Sequence, residues 1–376
     1  MTNGSPLLYT HSMEKKRVLI VGAGLAGLAL YRTLDKQEFD VEIVERRKNF
    51  ENLGYAVIFM PNGVRALRKL GFPKQKVNRL GRPIREFVVY DDKNEITHQA
   101  KLDKIWEKYD RYLVVERKEL HSLLESGIDK KNIRFSTELS SFKQDSGGVR
   151  ARFKGDRRTH KYDVIIGADG ANSFVRKTLF PHARVTSLGA LVIWSWLPRK
   201  TTAIGKRTVA FIANKRGIGY FDTGDSEKMC AFTWTEQKAL PAKITPRLYP
   251  LLWRDSVAPF NLVPIKGVRS TPAATRMYAH EDRSVDLRSW KKGNVVLIGD
   301  AAHTRGVFTG SGTALAIEDG YLLGNYLNTE KSVSEGLSRF CAVQQPRVHK
   351  MVPTLVGPKF LALLEEFLGS SRLFSK

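Results

Sequence analysis

Cysteine is almost absent from this chain of 376 residues, which contains only Cys230 and Cys341. Two thiols are too few for a disulfide framework or for a zinc site built from several cysteines. We therefore expect both to be reduced core side chains of a cytoplasmic protein. Long apolar runs are also missing: the longest, residues 18–30, contains three glycines, and a membrane-spanning helix needs about 20 apolar residues. We expect no transmembrane segment and, because residues 1–13 lack the apolar core of a secretory signal, a disordered tail there.

Acidic residues are scarce beside basic ones, since 38 Asp and Glu accompany 62 Lys and Arg and leave a net charge of +24. Such an excess favours anionic partners: nucleic acid, an anionic membrane surface or acidic small molecules. The basic clusters are short and lie in different predicted elements, at residues 15–17, 46–48, 157–158 and 291–292. No nucleic-acid-binding motif accompanies them, so we expect no specific nucleic-acid partner.

A glycine-rich turn near the N-terminus is the first motif with a chemical meaning. The β-branched run at residues 18–21 leads into Gly22, Gly24 and Gly27, then into a helix-favouring stretch and a second apolar strand. Glycines in this order serve a tight turn, room for a pyrophosphate and close helix packing. Glu45 lies 23 residues after Gly22, near the ~20 expected for a carboxylate that binds ribose hydroxyls. Dinucleotide binding is predicted, with a packing turn as the alternative, through Gly22, Gly24, Leu25, Ala26, Gly27, Glu45 and Arg46.

Two later segments repeat the pattern of a buried strand that ends in glycine and aspartate. The first ends in Gly-Ala-Asp169-Gly and the second in Gly299-Asp300. After the second, Gly310-Ser311-Gly312 opens a helix that begins at Thr313. The free N–H groups of a helix N-terminus would stabilise negative charge on a ligand in the preceding loop.

The distribution of strand-like runs and turn residues divides the chain into parts. Residues 84–98 and 185–277 consist of short β-branched and aromatic runs separated by Gly, Asp, Asn and Pro, which is typical of an antiparallel sheet. We predict an α/β protein: a Rossmann-like domain with an inserted, mostly antiparallel β-sheet domain and C-terminal helices. The predicted parts are a cofactor-binding domain of residues 14–83, 112–184 and 286–330, a substrate-binding sheet domain of residues 84–111 and 185–285, and a helical segment of residues 331–376.

These motifs resemble those of the group A FAD-dependent aromatic hydroxylases of the p-hydroxybenzoate hydroxylase type, from about residue 17 to about residue 327. Four elements carry the resemblance in the family's order: the dinucleotide glycines, Arg117 within Val-Glu-Arg-Lys-Glu-Leu, the Asp169 stretch and Gly299-Asp300. The resemblance implies that Asp300 bonds the ribityl chain of FAD and that Arg117 lies by the flavin and pyrophosphate. It also implies that Asp169 organises the cofactor and reductant region, although Asp169 as a helix cap stays open.

The chain departs from the family pattern in the loop that leads to the second helix. Val307 stands where a proline is usual, and Ser311 stands where a glutamine is usual. Gly310, Ser311, Gly312 and Thr313 are nevertheless expected to bind the cofactor, together with Gly299. His303 is interpreted as a loop residue beside the flavin, and no metal site is predicted, because the eight histidines are scattered.

The resemblance implies an FAD-dependent monooxygenase with NAD(P)H and O₂ as cosubstrates. It would hydroxylate an aromatic or enol-bearing, polyketide-like small molecule through a flavin hydroperoxide, so that the flavin carries the chemistry and no catalytic side chain is assigned. No second dinucleotide glycine motif follows Gly27, so NAD(P)H would bind transiently. A flavin-dependent halogenase is one alternative, suggested by Trp194-Ser-Trp196. A basic flavoprotein that binds nucleic acid or a membrane surface without turnover is the alternative of another class.

The substrate chamber should be lined by the inserted sheet. The aromatic candidates are Trp194, Trp196, Phe211, Tyr220, Trp234 and, from the flavin loop, Phe308. We expect about two of the six to face a ligand and the others to form sheet core. The apolar face of a C-terminal helix at residues 359–368 is predicted to pack against the protein, with shallow membrane docking as the alternative. A monomer and a dimer both stay open.

Overall fold

The computed structural model describes residues 14–50, 54–91, 93, 95–198, 208–214, 216–236, 245–258, 277–350 and 360–373. The tail predicted for residues 1–13 lies outside this part of the chain. The strands, in chain order, are β1 (Lys16–Val21), β2 (Phe39–Val44), β3 (Ala56–Phe59), β4 (Gly81–Ile84), β5 (Glu86–Tyr90), β6 (Ile96–Lys101), β7 (Tyr112–Glu116), β8 (Ile133–Arg134), β9 (Leu139–Asp145), β10 (Gly148–Phe153), β11 (His160–Tyr162), β12 (Val164–Gly167), β13 (Arg184–Pro198), β14 (Thr208–Asn214), β15 (Arg216–Phe221), β16 (Lys228–Glu236), β17 (Tyr278–Asp286), β18 (Lys291–Lys292) and β19 (Val295–Leu297).

Helices separate several of these strands and dominate the C-terminal part. In chain order they are α1 (Leu25–Thr33), α2 (Pro61–Lys69), α3 (Lys74–Asn78), α4 (Asp103–Lys108), α5 (Arg117–Glu125), α6 (Phe174–Leu179), α7 (Tyr249–Val257), α8 (Asp300–His303), α9 (Gly312–Thr329), α10 (Val333–His349) and α11 (Phe360–Gly369). Within the described residues, no helix is both long and apolar enough to cross a membrane.

A mainly parallel sheet carries the glycine motifs. Its strand order is β18-β19-β12-β1-β2-β8, and every neighbouring pair is parallel except β18 with β19. Val18, Leu19 and Ile20 in the central strand β1 are fully buried, as expected of a parallel strand that is covered on both faces. The carboxyl ends of β1, β12 and β19 lead into the three predicted motifs, so the motifs meet at one edge of this sheet. The α/β prediction is confirmed.

A second sheet of seven strands lies beside it, in the order β17-β13-β16-β15-β14-β5-β6. All of its pairs are antiparallel except β14 with β5. The strands at residues 86–101 and 184–286 therefore join in one mostly antiparallel sheet. The exact domain boundaries stay a proposal. Two three-stranded sheets, β11-β10-β9 and β3-β7-β4, complete the described architecture.

Both faces of the seven-stranded sheet are apolar. One face packs into the main core through Val192, Trp194 and Phe232, whereas alternate residues such as Ile193 and Tyr220 form a separate cluster. That cluster includes fully buried Trp253 of α7, so α7 covers the back of the sheet. The prediction of a mostly antiparallel sheet holds, but residues 185–277 also contain the unpredicted helix α7, which has a proline in its first turn and buries one side.

The C-terminal helices pack against the cofactor-binding part. α9 contacts α1, α2 and α10, and α11 buries Leu364, Phe367 and Leu368. These three residues of the predicted apolar face are thus covered by protein, which supports the packing interpretation, whereas the side chains of residues 360–363 lie outside the described part of the structure. Lys359, where that prediction began the helix, lies outside the described residues, and the described helix begins at Phe360.

Candidate functional site

The glycine turn after β1 has the backbone geometry that a dinucleotide requires. Gly22 has φ +109°, and a Cβ there would lie 2.5 Å from the Ala168 carbonyl oxygen. A Cβ at Gly27 would lie 2.1 Å from the Gly22 carbonyl oxygen, whereas Gly24 faces open space. Gly22 and Gly27 therefore permit tight packing, and Gly24 leaves room for a ligand at the N-terminus of α1. No side chain caps that N-terminus, so its N–H groups are available to phosphate oxygens.

Glu45 lies beside this turn as predicted, but its carboxylate is already bonded to backbone. It accepts the N–H groups of Ala23 at 3.1 Å and Arg47 at 3.0 Å. Arg46 is exposed, and neither Glu45 nor Arg46 lines the cleft described below. Glu45 thus holds the turn in shape, and its contact with a ribose stays a prediction.

Asp169 acts as a helix cap in the structure. One carboxylate oxygen accepts the Ser173 hydroxyl at 2.5 Å, and the other accepts the N–H groups of Phe174 at 2.6 Å and Val175 at 3.1 Å. Asp169 itself does not line the cleft, although the turn at residues 170–172 does. Burial raises the pKa of this carboxyl despite these bonds. Both carboxylate oxygens of Asp169 are therefore used for helix capping, as the alternative prediction has it. Asp169 would then affect a bound cofactor by holding the turn at residues 170–172 in place.

The turn at Gly299 and Asp300 presents the Asp300 carboxylate to the cleft. Gly299 has φ +58°, a conformation that favours glycine. Its N–H donates to the Asp319 carboxylate at 2.8 Å. On the other side, the buried Arg176 guanidinium donates to the Ala301 carbonyl at 2.9 Å and to the Ala171 carbonyl at 2.5 Å. Arg176 therefore ties the Asp300 turn to the turn after Asp169.

Two adjacent acidic residues of α9, Glu318 and Asp319, anchor this region from behind, and both are 0% exposed. Asp319 contacts His303 Nε2 at 2.6 Å and accepts Gln344 Nε2 at 2.9 Å. Burial alone would lower the pKa of His303, but the nearby Asp319 carboxylate raises it, so the contact favours the protonated imidazole. His303 is therefore a partner of Asp319 and lies in α8 outside the cleft lining, and its place beside the flavin stays a prediction.

Glu318 fastens the C-terminal helices to the same helix. It accepts Asn62 Nδ2 at 2.8 Å and Arg347 Nη1 at 2.9 Å. The Ser371 hydroxyl, just beyond α11, also donates to Glu318, and the Arg347 guanidinium lies 4.2 Å from the Phe367 ring centre. We refer to Arg176, His303, Glu318, Asp319, Gln344 and Arg347 as the buried polar frame.

The loop before α9 closes one side of the cleft. Residues Val307–Thr309 form a 3-10 turn, Gly310 has φ +56°, and α9 starts at Gly312 without a side-chain cap. The N–H of Val307 donates to Asp282 of β17 at 3.1 Å. Asp282 is 4% exposed, and burial raises its pKa to about 6. The position where the family usually has proline is thus used to hold the loop against the sheet.

Aromatic rings of the seven-stranded sheet form the opposite end of the cleft, together with Tyr55, which precedes β3. The Tyr55 ring stacks on Trp194, with centroids 4.9 Å apart at 26°, and on Tyr278, at 5.4 Å and 14°. Trp194 also packs on Phe232 at 4.7 Å and on Phe221 at 5.9 Å. We call Tyr55, Trp194, Phe221, Phe232 and Tyr278 the aromatic wall, and all five line the cleft.

Of the four predicted substrate residues whose side chains the structure describes, Trp194 alone belongs to this wall. Trp196 instead donates its indole N–H to the Gly54 carbonyl and lies under the Lys228 amine, 4.2 Å from the ring centre. Tyr220 faces α7 on the back of the sheet, and Trp234 packs beside Phe232 outside the cleft lining. Phe211 lies in β14 and Phe308 in the 3-10 turn, but their side chains are outside the described part of the structure.

Four residues of the wall were missed by sequence reasoning. Phe232 and Tyr278 are the cross-strand partners of Trp194 on β16 and β17, so the pairing of these strands would have found them. Phe221 follows Tyr220 by one residue and therefore faces the opposite side of the sheet. Tyr55 carries no periodic signal, because it precedes a short strand.

Charged groups of both signs share the cleft. Arg117, Arg283 and Arg305 line it together with Asp300, Glu281 and Asp282. Arg283 is paired with Glu281 at 2.6 Å and with Asn172 at 2.8 Å. His280 also lines the cleft, and burial lowers its pKa to about 4, so this imidazole is neutral at pH 7. Within the described residues, no cluster of His, Cys, Asp and Glu could hold a metal ion.

These parts surround one cleft of about 430 Å³, lined at one end by Gly24, Leu25, Ala26, Arg117, Asp300 and residues 310–313, and at the other by the aromatic wall. The open space at Gly24 and the uncapped N-termini of α1 and α9 fit an anionic dinucleotide. The wall fits a flat apolar ring. Of the predicted cofactor residues, Gly22, Gly27, Glu45, Asp169 and Gly299 lie outside this lining and hold the turns that carry it, whereas Arg46 is exposed and does not line the cleft.

Comparisons with known proteins agree with this arrangement. Residues 15–352 match a family described as the FAD binding domain. The chain is 27% identical over 306 residues to 2-heptyl-3-hydroxy-4(1H)-quinolone synthase of Pseudomonas aeruginosa strain UCBPP-PA14, covering 81% of this chain and 79% of that protein. It is 26% identical over 333 residues to 6-hydroxynicotinate 3-monooxygenase of Pseudomonas fluorescens, covering 84% and 83%. The crystal structure of Klebsiella pneumoniae HpxO with FAD and uric acid has the same fold, with TM-score 0.81, 19% identity and coverage of 96% and 93%.

Proposed function

The chain belongs to the FAD-binding-domain family of group A flavin-dependent monooxygenases, and we propose that its cleft hydroxylates a planar, electron-rich aromatic or enol-bearing small molecule. It is an FAD-dependent oxidoreductase, and NAD(P)H is the reductant typical of its family. When bound, FAD supplies the redox chemistry, taking electrons from NAD(P)H and delivering one atom of O₂ to the substrate. We refer to Gly24, Leu25, Ala26, Arg117, Asp300 and residues 310–313 as the cradle. The observation that supports the proposal is that this cradle and the aromatic wall line one cleft.

At the cradle end, we assign the residues to the parts of FAD that their chemistry suits. The N–H groups at the start of α1, from Gly24 to Ala26, donate to the pyrophosphate, and Arg117 adds a positive charge beside it. The Asp300 carboxylate accepts hydroxyl groups of the ribityl chain. Residues 310–313 place the uncapped N-terminus of α9 at the cleft, where its dipole would favour negative charge added to a bound ring system.

At the wall end, the chain excludes water and orients the substrate ring. Trp194, Phe221, Phe232 and Tyr278 present ring faces and edges, which stack on planar molecules. The neutral His280 imidazole and the buried Asp282 lie on the same face of β17 as Tyr278, since side chains alternate along a strand. A flat molecule with one polar edge matches this mixture. Two relatives are named for a hydroxyquinolone and a hydroxynicotinate, which supports an N-heteroaromatic substrate class.

The two alternatives have less support. A halogenase would need a lysine between flavin and substrate, and no lysine is among the described residues that line the cleft. The Trp-Ser-Trp run that suggested it is divided, because only Trp194 reaches the cleft. A flavoprotein that binds nucleic acid or a membrane surface would need clustered basic residues, but the basic residues of this chain are dispersed over different elements. The excess charge instead supports electrostatic capture of anionic NAD(P)H.

The test is reconstitution of the purified protein with FAD, followed by a screen for compounds that accelerate NADPH and NADH oxidation. The panel contains an alkylated 4-quinolone, 6-hydroxynicotinate, uric acid and simple phenols. We expect a yellow protein and, with a suitable compound, faster NAD(P)H oxidation and a product heavier by one oxygen atom in mass spectrometry. Asp300→Ala should weaken FAD binding. A colourless protein that cannot bind FAD would refute the proposal.

We keep three further expectations with this proposal. The first is the division into the domains predicted from the sequence. The second is a cytoplasmic location, where NAD(P)H is supplied, and the third is assembly as a monomer or dimer, which sedimentation can measure. The +24 charge predicts that the apparent affinity for NAD(P)H weakens with added salt. An affinity unchanged by salt would leave the excess charge without this role.

A further inference from the structure

Tyr55 enters the aromatic wall from the opposite side to its other members. Trp194, Phe221, Phe232 and Tyr278 all belong to the seven-stranded sheet, whereas Tyr55 directly precedes β3 of the three-stranded sheet β3-β7-β4. Among the described aromatic residues of the wall, it alone reaches across from the cofactor side. Its ring therefore limits how far the cleft extends between the two sides.

The backbone that carries this ring is fixed at several points. The Tyr55 carbonyl accepts the N–H of Arg117 at 3.0 Å, and the N–H of Ala56 donates to Cys230 Sγ at 3.2 Å. From Ala56 onward, β3 pairs with β7 in antiparallel register. These bonds fix the position of the Tyr55 Cα and Cβ atoms, and the stacking of its ring on Trp194 and Tyr278 favours the side-chain conformation that fills this part of the cleft.

The stack also defines the size of that space. Tyr55 lies nearly parallel to both Trp194 and Tyr278, at 26° and 14°, with centroid separations of 4.9 Å and 5.4 Å. These are ordinary separations for packed aromatic rings. The position between these neighbours therefore holds one aromatic ring, and at present that ring is the side chain of Tyr55.

We propose that Tyr55 is a specificity-determining residue that sets the upper size of the planar hydroxy- or oxo-substituted aromatic accepted in the cleft. It occupies the space that one additional fused ring of a substrate would need. Removing the ring should lengthen the acceptable substrate by about one ring. This inference rests on the proposed function, because it concerns the substrate of the same cleft.

The experiment uses a ladder of one, two and three fused rings: phenol, 1-naphthol and 9-phenanthrol. Dissociation constants are measured by titrating the FAD-loaded protein and following the absorbance of the flavin, and NADPH oxidation is recorded in parallel. In the unaltered protein we expect affinity to fall at the ladder member that would overlap Tyr55. In Tyr55→Ala, affinity for that member should rise by roughly tenfold or more, the size of discrimination that apolar pockets provide.

Two variants separate ring size from other effects. Tyr55→Phe keeps the ring and should keep the order of affinities of the unaltered protein. Trp234→Ala removes an aromatic side chain from the same sheet face, outside the cleft lining, and should leave the order unchanged. If Tyr55→Ala unfolds or loses FAD, Tyr55→Leu, which keeps an apolar side chain but no ring, provides the same comparison.

The inference is overturned if the alanine or leucine variant keeps the order of affinities of the unaltered protein. It is also overturned if Trp234→Ala shifts the order to the same extent, or if Tyr55→Phe alone shifts it. Failure of the proposed function looks different: the FAD-loaded protein would bind ladder members but would not oxidise NADPH faster with any compound tested. The affinities would still report on Tyr55 in that case.

Discussion

The backbone around Asp300 at one end of the cleft is held by buried charged side chains, whereas the wall around Trp194 at the other end is held by aromatic packing. Asp319 and Arg176 bond the N–H and C=O groups on either side of Asp300. At the wall, the buried Trp194 Nε1 and His280 Nδ1 have no hydrogen-bond partner among the residues that the structure describes. The cradle depends on fixed backbone positions, and the wall depends on which side chains share a face. Loss of one charge should therefore damage the cradle more than loss of one polar atom damages the wall.

The largest effect is expected from Asp319→Ala. This change removes the carboxylate that contacts the buried His303 and accepts the Gly299 N–H, and breaking a buried pair costs about 3–5 kcal/mol. We expect a loss of this size in the free energy of unfolding by urea, together with weaker FAD binding. Asp286→Ala is the control, because the Asp286 carboxylate is 88% exposed and lies at the surface, 3.8 Å from His349. Equal losses in the two variants would contradict the role of the frame.

A pH-dependent effect should come next, because Asp282 and His280 on one strand titrate with opposite consequences. The folded protein keeps a proton on Asp282 up to about pH 6, whereas an unfolded Asp loses it near 4. Its ionisation therefore lowers stability as pH rises from about 4 to 6. Folded His280 stays neutral down to about pH 4, whereas an unfolded His is protonated below about 6.5. Stability from His280 is therefore lost as pH falls through this window.

Removing either group should leave only the effect of the other on the pH dependence of stability. Asp282→Asn keeps an acceptor for the Val307 N–H, and its unfolding free energy should rise more steeply with pH between 4 and 6.5 than that of the unaltered protein. His280→Phe should show the reverse change. Each difference is expected to be about 2–3 kcal/mol across the window, measured by chemical unfolding at a series of pH values. Parallel curves for all three proteins would refute the assignment.

A smaller effect is expected where the wall is packed most closely. A Cβ at Gly219 of β15 would lie 2.3 Å from Cε1 of Phe232, so Gly219→Ala must displace that ring. Overpacking of this kind costs about 1–3 kcal/mol. We expect the free energy of unfolding to fall by this amount. We also expect the absorbance change of bound FAD on substrate addition to differ from that of the unaltered protein. Gly24→Ala is the control for stability, because a Cβ at Gly24 would face open space. We expect this variant to keep the stability of the unaltered protein and to bind FAD less tightly.

The smallest effect is expected on the back of the sheet. The Tyr220 hydroxyl is buried and has no hydrogen-bond partner in the described part of the chain, and burial raises its pKa well above the ordinary value. Tyr220→Phe should therefore change stability by less than about 0.5 kcal/mol, because no bond is lost. It should leave substrate affinity unchanged, since Tyr220 faces α7. A marked loss of substrate binding would mean that the face of this strand has been misassigned.

The sequence predicted the cradle better than the wall, for a physical reason. Gly22, Gly299 and Asp300 are required by local backbone geometry after a strand, which is visible in a short motif. The inward face of a strand is visible only when its other face is polar. Here α7 covers the back of the sheet, so Tyr220 and Phe221 are both buried. Because apolar and polar residues do not alternate along this strand, the sequence does not indicate which of the two side chains faces the cleft.

The buried polar frame was also beyond the motifs, although one signal was available. Glu318 and Asp319 are adjacent carboxylates within the otherwise apolar first half of a long helix. Buried carboxylates are rare unless they are paired, so partners such as Arg347 and His303 could have been sought. Asp169 shows the opposite difficulty, because a cap and a cofactor contact use the same residue type.

The bond from Ser371 to Glu318 has a consequence for the order in which the protein is made. A ribosome synthesises residues 1–318 long before residue 371, so Glu318 and Arg347 leave the exit tunnel without the last partner of their network. The support behind the FAD cradle is completed only after α11 has emerged and docked. A released chain that ends before residue 360 lacks α11 and Ser371, so we expect it to bind FAD less tightly than the chain of 376 residues, and cofactor insertion would be a late event of folding.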